Sequence, residues 1–230
     1  TTLISNLAPT NPIPSINSTD GSNKTKQNLN CNSLITDPNG DKLNVTVQWY
    51  KNNALNLIID YNNSFSSGTL FSATLESENT TKGENWKCGM QLFDGEFYSN
   101  WINSSNLTIL NTPPFTNLVS PADGNITTNR TPTFIWDATD DDGDNLTYDL
   151  NISCYPGCSS DNRYFIGLNN ASQTLINDLQ FLSDNNFYYN WSARTHDGET
   201  FGNWTKERKI NIQALLTIRL INNSVNFGVL

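Results

Sequence analysis

Alternation of apolar and polar residues is the dominant pattern along the chain. Leu43, Val45, Val47 and Trp49 alternate with Asn44, Thr46 and Gln48; Leu146, Tyr148, Leu150 and Ile152 alternate with Thr147, Asp149 and Asn151. A period of two places successive side chains on opposite faces of an extended strand, one face dry and one wet. Thr133 to Trp136, Phe187 to Thr195 and Lys206 to Ile212 read as further strands, and the separators are rich in Asp, Asn, Gly and Pro. No segment carries an apolar stripe of helical period, so helix is expected to be minor. About seven short strands per roughly 100 residues is β-sandwich spacing.

The chain also resembles itself. At an offset of 103 residues, the run Thr36-Asp37-Pro38-Asn39-Gly40-Asp41-Lys42-Leu43 lies on Thr139-Asp140-Asp141-Asp142-Gly143-Asp144-Asn145-Leu146. The same offset brings Asp94-Gly95-Glu96 onto Asp197-Gly198-Glu199, Trp101 onto Trp204 and Asp20-Gly21 onto Asp123-Gly124. Several matches in one register, with no gap, indicate two copies of one domain.

The cysteines fit this frame. Cys31 and Cys88 fall in two predicted strands, 57 residues apart, and their counterparts in the second copy are Phe134 and Trp191. A disulfide in one copy and an aromatic pair in the other are interchangeable only at positions pointing between two sheets. Cys154 and Cys158, around Tyr155-Pro156-Gly157, suggest a local bridge at a strand end. Four cysteines permit three pairings, of which Cys31–Cys88 with Cys154–Cys158 is favoured. A zinc site is the rival, but one His and a single short Cys pair supply too few ligands. Disulfides imply an oxidising, extracytoplasmic compartment.

Composition points the same way. Charged residues are 15% of the 230 and hydrophobic ones 36%, and Asn, Ser and Thr make up the difference. Six Trp within 11% aromatics supply enough large apolar surface for cores, which a disordered chain lacks. A net charge of −9 argues against nucleic acid and against a basic patch on an anionic membrane. No window of about 20 apolar residues spans a bilayer.

The acceptor pattern N-x-S/T occurs 15 times, at Asn17, Asn23, Asn44, Asn62, Asn79, Asn103, Asn106, Asn125, Asn129, Asn145, Asn151, Asn170, Asn190, Asn203 and Asn222. Shuffling this composition would give roughly seven. In several sequons the middle residue is apolar: Val45, Leu107, Leu146, Ile152, Trp191 and Trp204. On a strand such a residue points inward while the Asn and the Ser/Thr face solvent. Dense N-glycosylation is therefore expected, and a sugar coat would cover strand edges that otherwise invite pairing.

Thr131-Pro132-Thr133-Phe134-Ile135-Trp136, then Asp140 to Asp144 and Leu146-Thr147-Tyr148, resembles fibronectin type III-like and Ig-like repeats of archaeal and bacterial surface proteins. Tyr189 to Arg194 followed by Asp197-Gly198 looks like the penultimate strand and turn of those repeats. The resemblance covers nearly all of residues 115–214 and, more loosely, the first copy. It implies an all-β chain of two tandem sandwiches: a leading strand and linker over 1–11, an Ig-like sandwich over 12–113, a fibronectin III-like sandwich over 114–214, and a strand-like extension over 215–230. It also implies adhesion, surface-layer or filament roles. The apolar runs at the two ends suit either an excerpt of a longer array or donor-strand exchange between subunits.

Other sites are weaker. Asp140, Asp142 and Asp144 could bind calcium through clustered carboxylates, but the run lacks the full spacing of an EF-hand. A tight turn closed by Asp side chains and a positive-φ Gly is the favoured reading. His196, the only histidine, replaces Phe93 of the first copy and reads as a loop-end substitution. Glu96 and Glu199 are equivalent positions of separate domains, so they do not form a glycosidase pair. Trp49, Trp101, Trp191 and Trp204 are expected in the cores instead of on a sugar-binding platform. No catalytic, cofactor-binding or metal residue is assigned and no enzyme is expected. The expectation is a structural subunit of an extracellular, N-glycosylated assembly, partnered by copies of itself or by other surface proteins; the alternative is an adhesin or carbohydrate-binding module.

Overall fold

A computed structural model describes residues 5–155, 161–175, 179 and 188–213. The chain divides into two compact units, Thr1–Thr112 and Pro113–Leu230. Both are all-β, and a 3-10 turn lies at Ser77–Asn79.

The first unit contains β1 (Ser15–Ser18), β2 (Leu29–Ile35), β3 (Leu43–Lys51), β4 (Ala54–Phe65), β5 (Thr69–Leu75), β6 (Asn85–Phe93), β7 (Ile102–Asn103) and β8 (Leu107–Thr108). One sheet has the order β1-β2-β5; the other runs β4-β3-β6-β7, with β8 also on β6. All of these pairings are antiparallel. The alternation in the sequence sets which face is dry. Leu43, Val45, Val47 and Trp49 are buried on β3, where Asn44, Thr46 and Gln48 are half-buried on the other face. They meet Leu29, Cys31 and Ile35 of β2 and Trp86, Cys88, Met90 and Leu92 of β6 in one cluster.

The second unit contains β9 (Phe115–Ser120), β10 (Asn125–Thr127), β11 (Thr133–Thr139), β12 (Thr147–Tyr155), β13 (Arg163–Leu168), β14 (Ser172–Thr174), β15 (Tyr188–His196) and β16 (Arg208–Ile212). Its sheets have the orders β14-β11-β9 and β10-β16-β15-β12-β13, and only the β10–β16 pairing is parallel. Phe134, Trp136, Leu150, Ile152, Tyr189, Trp191, Ile210 and Ile212 build its core.

Each core is bridged between its own two sheets, at matching positions in the two units. Cys31 on β2 and Cys88 on β6 form a disulfide with Cα atoms 6.1 Å apart, both fully buried. A loop of that length is worth about 4 kcal/mol in the chain-entropy account. In the second unit Phe134 on β11 and Trp191 on β15, also fully buried, meet edge to face with ring centroids 5.1 Å apart. Such a pair contributes about 0.5–1.5 kcal/mol beyond its buried area. Cys154 is likewise disulfide-bonded; its expected partner Cys158 lies outside the described residues.

Residues 5–14 carry no strand; of the strand expected over Thr1 to Leu7, residues 1–4 lie outside the described residues. Pro9, Pro12 and Pro14 remove ladder donors from this segment. Instead, the Leu7 N–H donates to Asn39 Oδ1 at 2.8 Å and Asn6 Nδ2 donates to Asp94 at 3.3 Å. The extension over 215–230 lies outside the described residues.

Candidate functional site

Every described sequon asparagine reaches the surface. Asn17, Asn62, Asn79, Asn103, Asn106, Asn129, Asn145, Asn170 and Asn203 are exposed, and Asn23, Asn44, Asn125, Asn151 and Asn190 are half-buried. Asn222 lies outside the described residues. The strands place most of them: Val45, Leu107 and Ile152 are buried, turning their flanking acceptors outward. Some acceptors are held by their neighbours. The Ser64 N–H donates to Asn44 Oδ1 at 3.1 Å, which occupies the carbonyl end and leaves Nδ2, the atom that takes a sugar, on the other side of the carboxamide. Asn103 lies across Gly89, where a Cβ would stand 2.5 Å from its Oδ1. Asn190 departs from the outward rule: its Nδ2 donates to Glu207 at 2.7 Å, and Ser192 is buried in the middle of the sheet, with β12 and β16 on either side of β15.

The two aspartate loops share one geometry. Asp37 Oδ1 accepts the N–H groups of Asn39 at 2.7 Å and Asp41 at 3.1 Å; Asp140 Oδ1 accepts those of Asp142 at 2.9 Å and Asp144 at 3.2 Å. Gly40 and Gly143 take φ of +80° and +77°, the left-handed region that favours glycine. One carboxylate oxygen from each of Asp140, Asp142 and Asp144 lies within 4.8 Å of the others. The Oδ2 atoms of Asp37 and Asp140 are buried without a hydrogen-bond partner. Three carboxylates are hard-oxygen donors of the kind calcium takes, but calcium collects about six to eight such oxygens. In the first unit Asn39 replaces the middle carboxylate.

The Asp-Gly-Glu turns also match. Asp94 Oδ1 accepts from the N–H of Glu96 and of Phe97 at 2.7 and 2.6 Å; Asp197 Oδ1 accepts from Glu199 and Thr200 at 2.7 and 2.6 Å. Burial pushes the Asp94 carboxyl upward, but the Phe97 and Glu96 N–H groups and the Asn6 amide outweigh it and hold it below the usual carboxylate range. Glu96 and Glu199 thus serve equivalent turns of separate units.

Trp101 and Trp204 are not in the cores, contrary to the expectation for them; they are 39% and 38% exposed. Both follow the Asp-Gly-Glu turn in irregular chain, where the two-residue period no longer applies. Trp204 belongs instead to a ladder on the outer face of the second unit. Tyr164 and Trp204 rings are 6.2 Å apart, the Arg194 guanidinium lies 4.8 Å from Trp204 and 3.8 Å from Phe201, and Phe201 lies 4.3 Å from His196. An ion pair at 2.8 Å to Asp149 fixes Arg194. In the first unit the corresponding Phe93 and Tyr98 stack at 4.4 Å, and Gln91 stands where Arg194 does. His196 is accounted for by this stacking and by the Gly198 N–H, which donates to its Nδ1 at 3.2 Å. Phe201 and Trp204 match Tyr98 and Trp101 of the first copy, but Tyr164 matches Tyr61, which packs against the first core, so the repeat alone did not announce the ladder.

The class follows from the strand order and the bridged cores: two tandem Ig-like or fibronectin III-like β-sandwiches. No family model and no curated protein matches the chain. Among solved structures, the FN1–FN3 domains of chicken CNTN1 are 15% identical, over 90% of this chain and 67% of that one, with a TM-score of 0.39. The chicken interferon gamma receptor alpha chain is 14% identical, over 91% and 100%, with a TM-score of 0.41. The PKD domain of an M14-like peptidase from a Thermoplasmatales archaeon is 20% identical, over 46% and 99%, with a TM-score of 0.34. No described helix is long and apolar enough to cross a membrane.

Proposed function

We propose that the chain is a structural unit of an extracellular, N-glycosylated surface assembly, a filament or surface layer built from copies of itself or with other surface proteins. The observation that carries this reading is the surface position of every described sequon asparagine, in a chain whose first core is closed by a disulfide. Sandwiches of this kind transmit load along tandem units, and sugars on their outer faces hydrate the surface and block unwanted strand pairing. Strand donation between copies is part of the proposal. Negative-stain imaging of the purified full chain tests it: polymers or sheets are expected, and isolated particles at all concentrations would contradict it.

A second reading, a sugar-binding adhesin, is favoured by the exposed ladder of Tyr164, Trp204 and Phe201. Retention of monomers on a glycan array would select it over the first.

A further inference from the structure

Two of the strand-borne acceptors, Asn151 and Asn44, lie beside aromatics in the sheets. Asn151 on β12 is the direct cross-strand partner of Tyr164 on β13, and the Tyr164 ring leans against Trp204. Asn44 on β3 is the direct partner of Phe93 on β6, whose ring stacks on Tyr98. Directly paired residues hold their Cβ atoms about 4.5–5.5 Å apart on one face. A group bonded to the asparagine Nδ2 therefore begins within reach of the ring beside it. Tyr164 is 57% exposed and Tyr98 61%, so each stack presents a ring to water beside an acceptor. Where the first unit has Gln48 in place of the Asn151 acceptor, its partner on β4 is Ile58, not an aromatic residue.

We propose that the outward aromatics are seats for the chain's own sugars: the first residue of a glycan on Asn151 lies against Tyr164 and Trp204, and that on Asn44 against Phe93 and Tyr98. A pyranose has one face of axial C–H groups, which packs on the π-face of an aromatic ring and removes both from water. The arrangement converts an exposed apolar surface into a covered one and fixes the direction in which each glycan leaves the sheet. It makes the ladder an internal ligand site, in place of a platform for foreign sugar. The inference rests on the glycosylation reading above.

The test uses the full chain secreted from a host that N-glycosylates, compared with the same chain made without glycosylation. Site-resolved glycopeptide mass spectrometry first reads occupancy of Asn151 and Asn44. Thermal melting is then followed for Tyr164→Ala, Asn151→Gln and the double variant. In glycosylated protein the two single losses are expected to overlap by about 4 °C in the double variant. In unglycosylated protein they are expected to add. Tyr164→Phe, which keeps the ring, is expected to retain the overlap and guards against a loss that is merely structural. Occupied Asn151 with simply additive losses in both preparations would overturn the sugar seat and leave glycosylation standing. An unmodified Asn151 would overturn both at this site.

Discussion

Glu84 links three parts of the first unit. Its carboxylate pairs with Lys51 and accepts the Trp86 indole N–H and the Thr81 N–H, each at 3.0 Å. Burial pushes this carboxyl upward, but those partners together hold it below its usual range. A carboxylate with a lowered folded pKa adds stability above its unfolded value, about 4.3, and loses it as pH falls through the folded value. Urea unfolding of the wild type is thus expected to weaken on acidification in that range. Glu84→Gln should be weaker at neutral pH and flatter towards acid; an unchanged acid limb would count against this assignment. At the aspartate loops the backbone N–H groups already close the turn, so millimolar calcium is expected to leave the melting temperature unchanged. An upward shift abolished by Asp142→Asn would make Asp140, Asp142 and Asp144 a cation site instead.

At the scale of the strands and turns, the close approach of Gly202 to Pro114 sets a sharp constraint. A Cβ on Gly202 would stand 2.2 Å from the Pro114 carbonyl oxygen, a backbone atom that cannot swing aside. Gly202→Ala is expected to cost about 1–3 kcal/mol by overpacking, measured by urea unfolding. No sequence pattern announces this contact, because it joins irregular chain to the residue just before β9. The strands themselves were legible: burial follows the alternation of Leu43 to Trp49 in β3 and of Leu150 and Ile152 in β12, while Tyr148 is half-buried and Asp149, on the other face, is buried in its pair with Arg194. The alternation misled where the chain leaves the ladder. Trp101 and Trp204 were read inward by extending a period of two past the Asp-Gly-Glu turn, into segments that no sheet holds. Ser192 was read outward from its strand position, but a central strand is covered from both sides, so outer-face residues there are buried too. The acceptor asparagines needed only composition and spacing; their aromatic neighbours needed the cross-strand register, which the sequence does not contain.

Across the molecule, one architecture is closed by two chemistries. The positions of Cys31 and Cys88 in the first core are those of Phe134 and Trp191 in the second, and all four side chains are fully buried. Replacing Cys31 and Cys88 together by Ala is expected to cost the first unit about 4 kcal/mol. Trp191→Ala should cost the second about 3–5 kcal/mol through cavity formation. Hydrogen exchange read separately over β1–β8 and over β9–β16 checks each loss in its own unit; a loss confined to the other unit would contradict the matched cores. The chain is acidic as a whole, with a net charge of −9, and the described sequon asparagines are where a coat of sugars would attach. That coat is the claim on which the proposed role stands. Intact mass of the protein from its native surface, before and after enzymatic removal of N-glycans, tests it most directly. The account expects a mass well above the 25.7 kDa of the chain that falls in many glycan steps on treatment. A mass equal to that of the bare chain, unchanged by the enzyme, would contradict it.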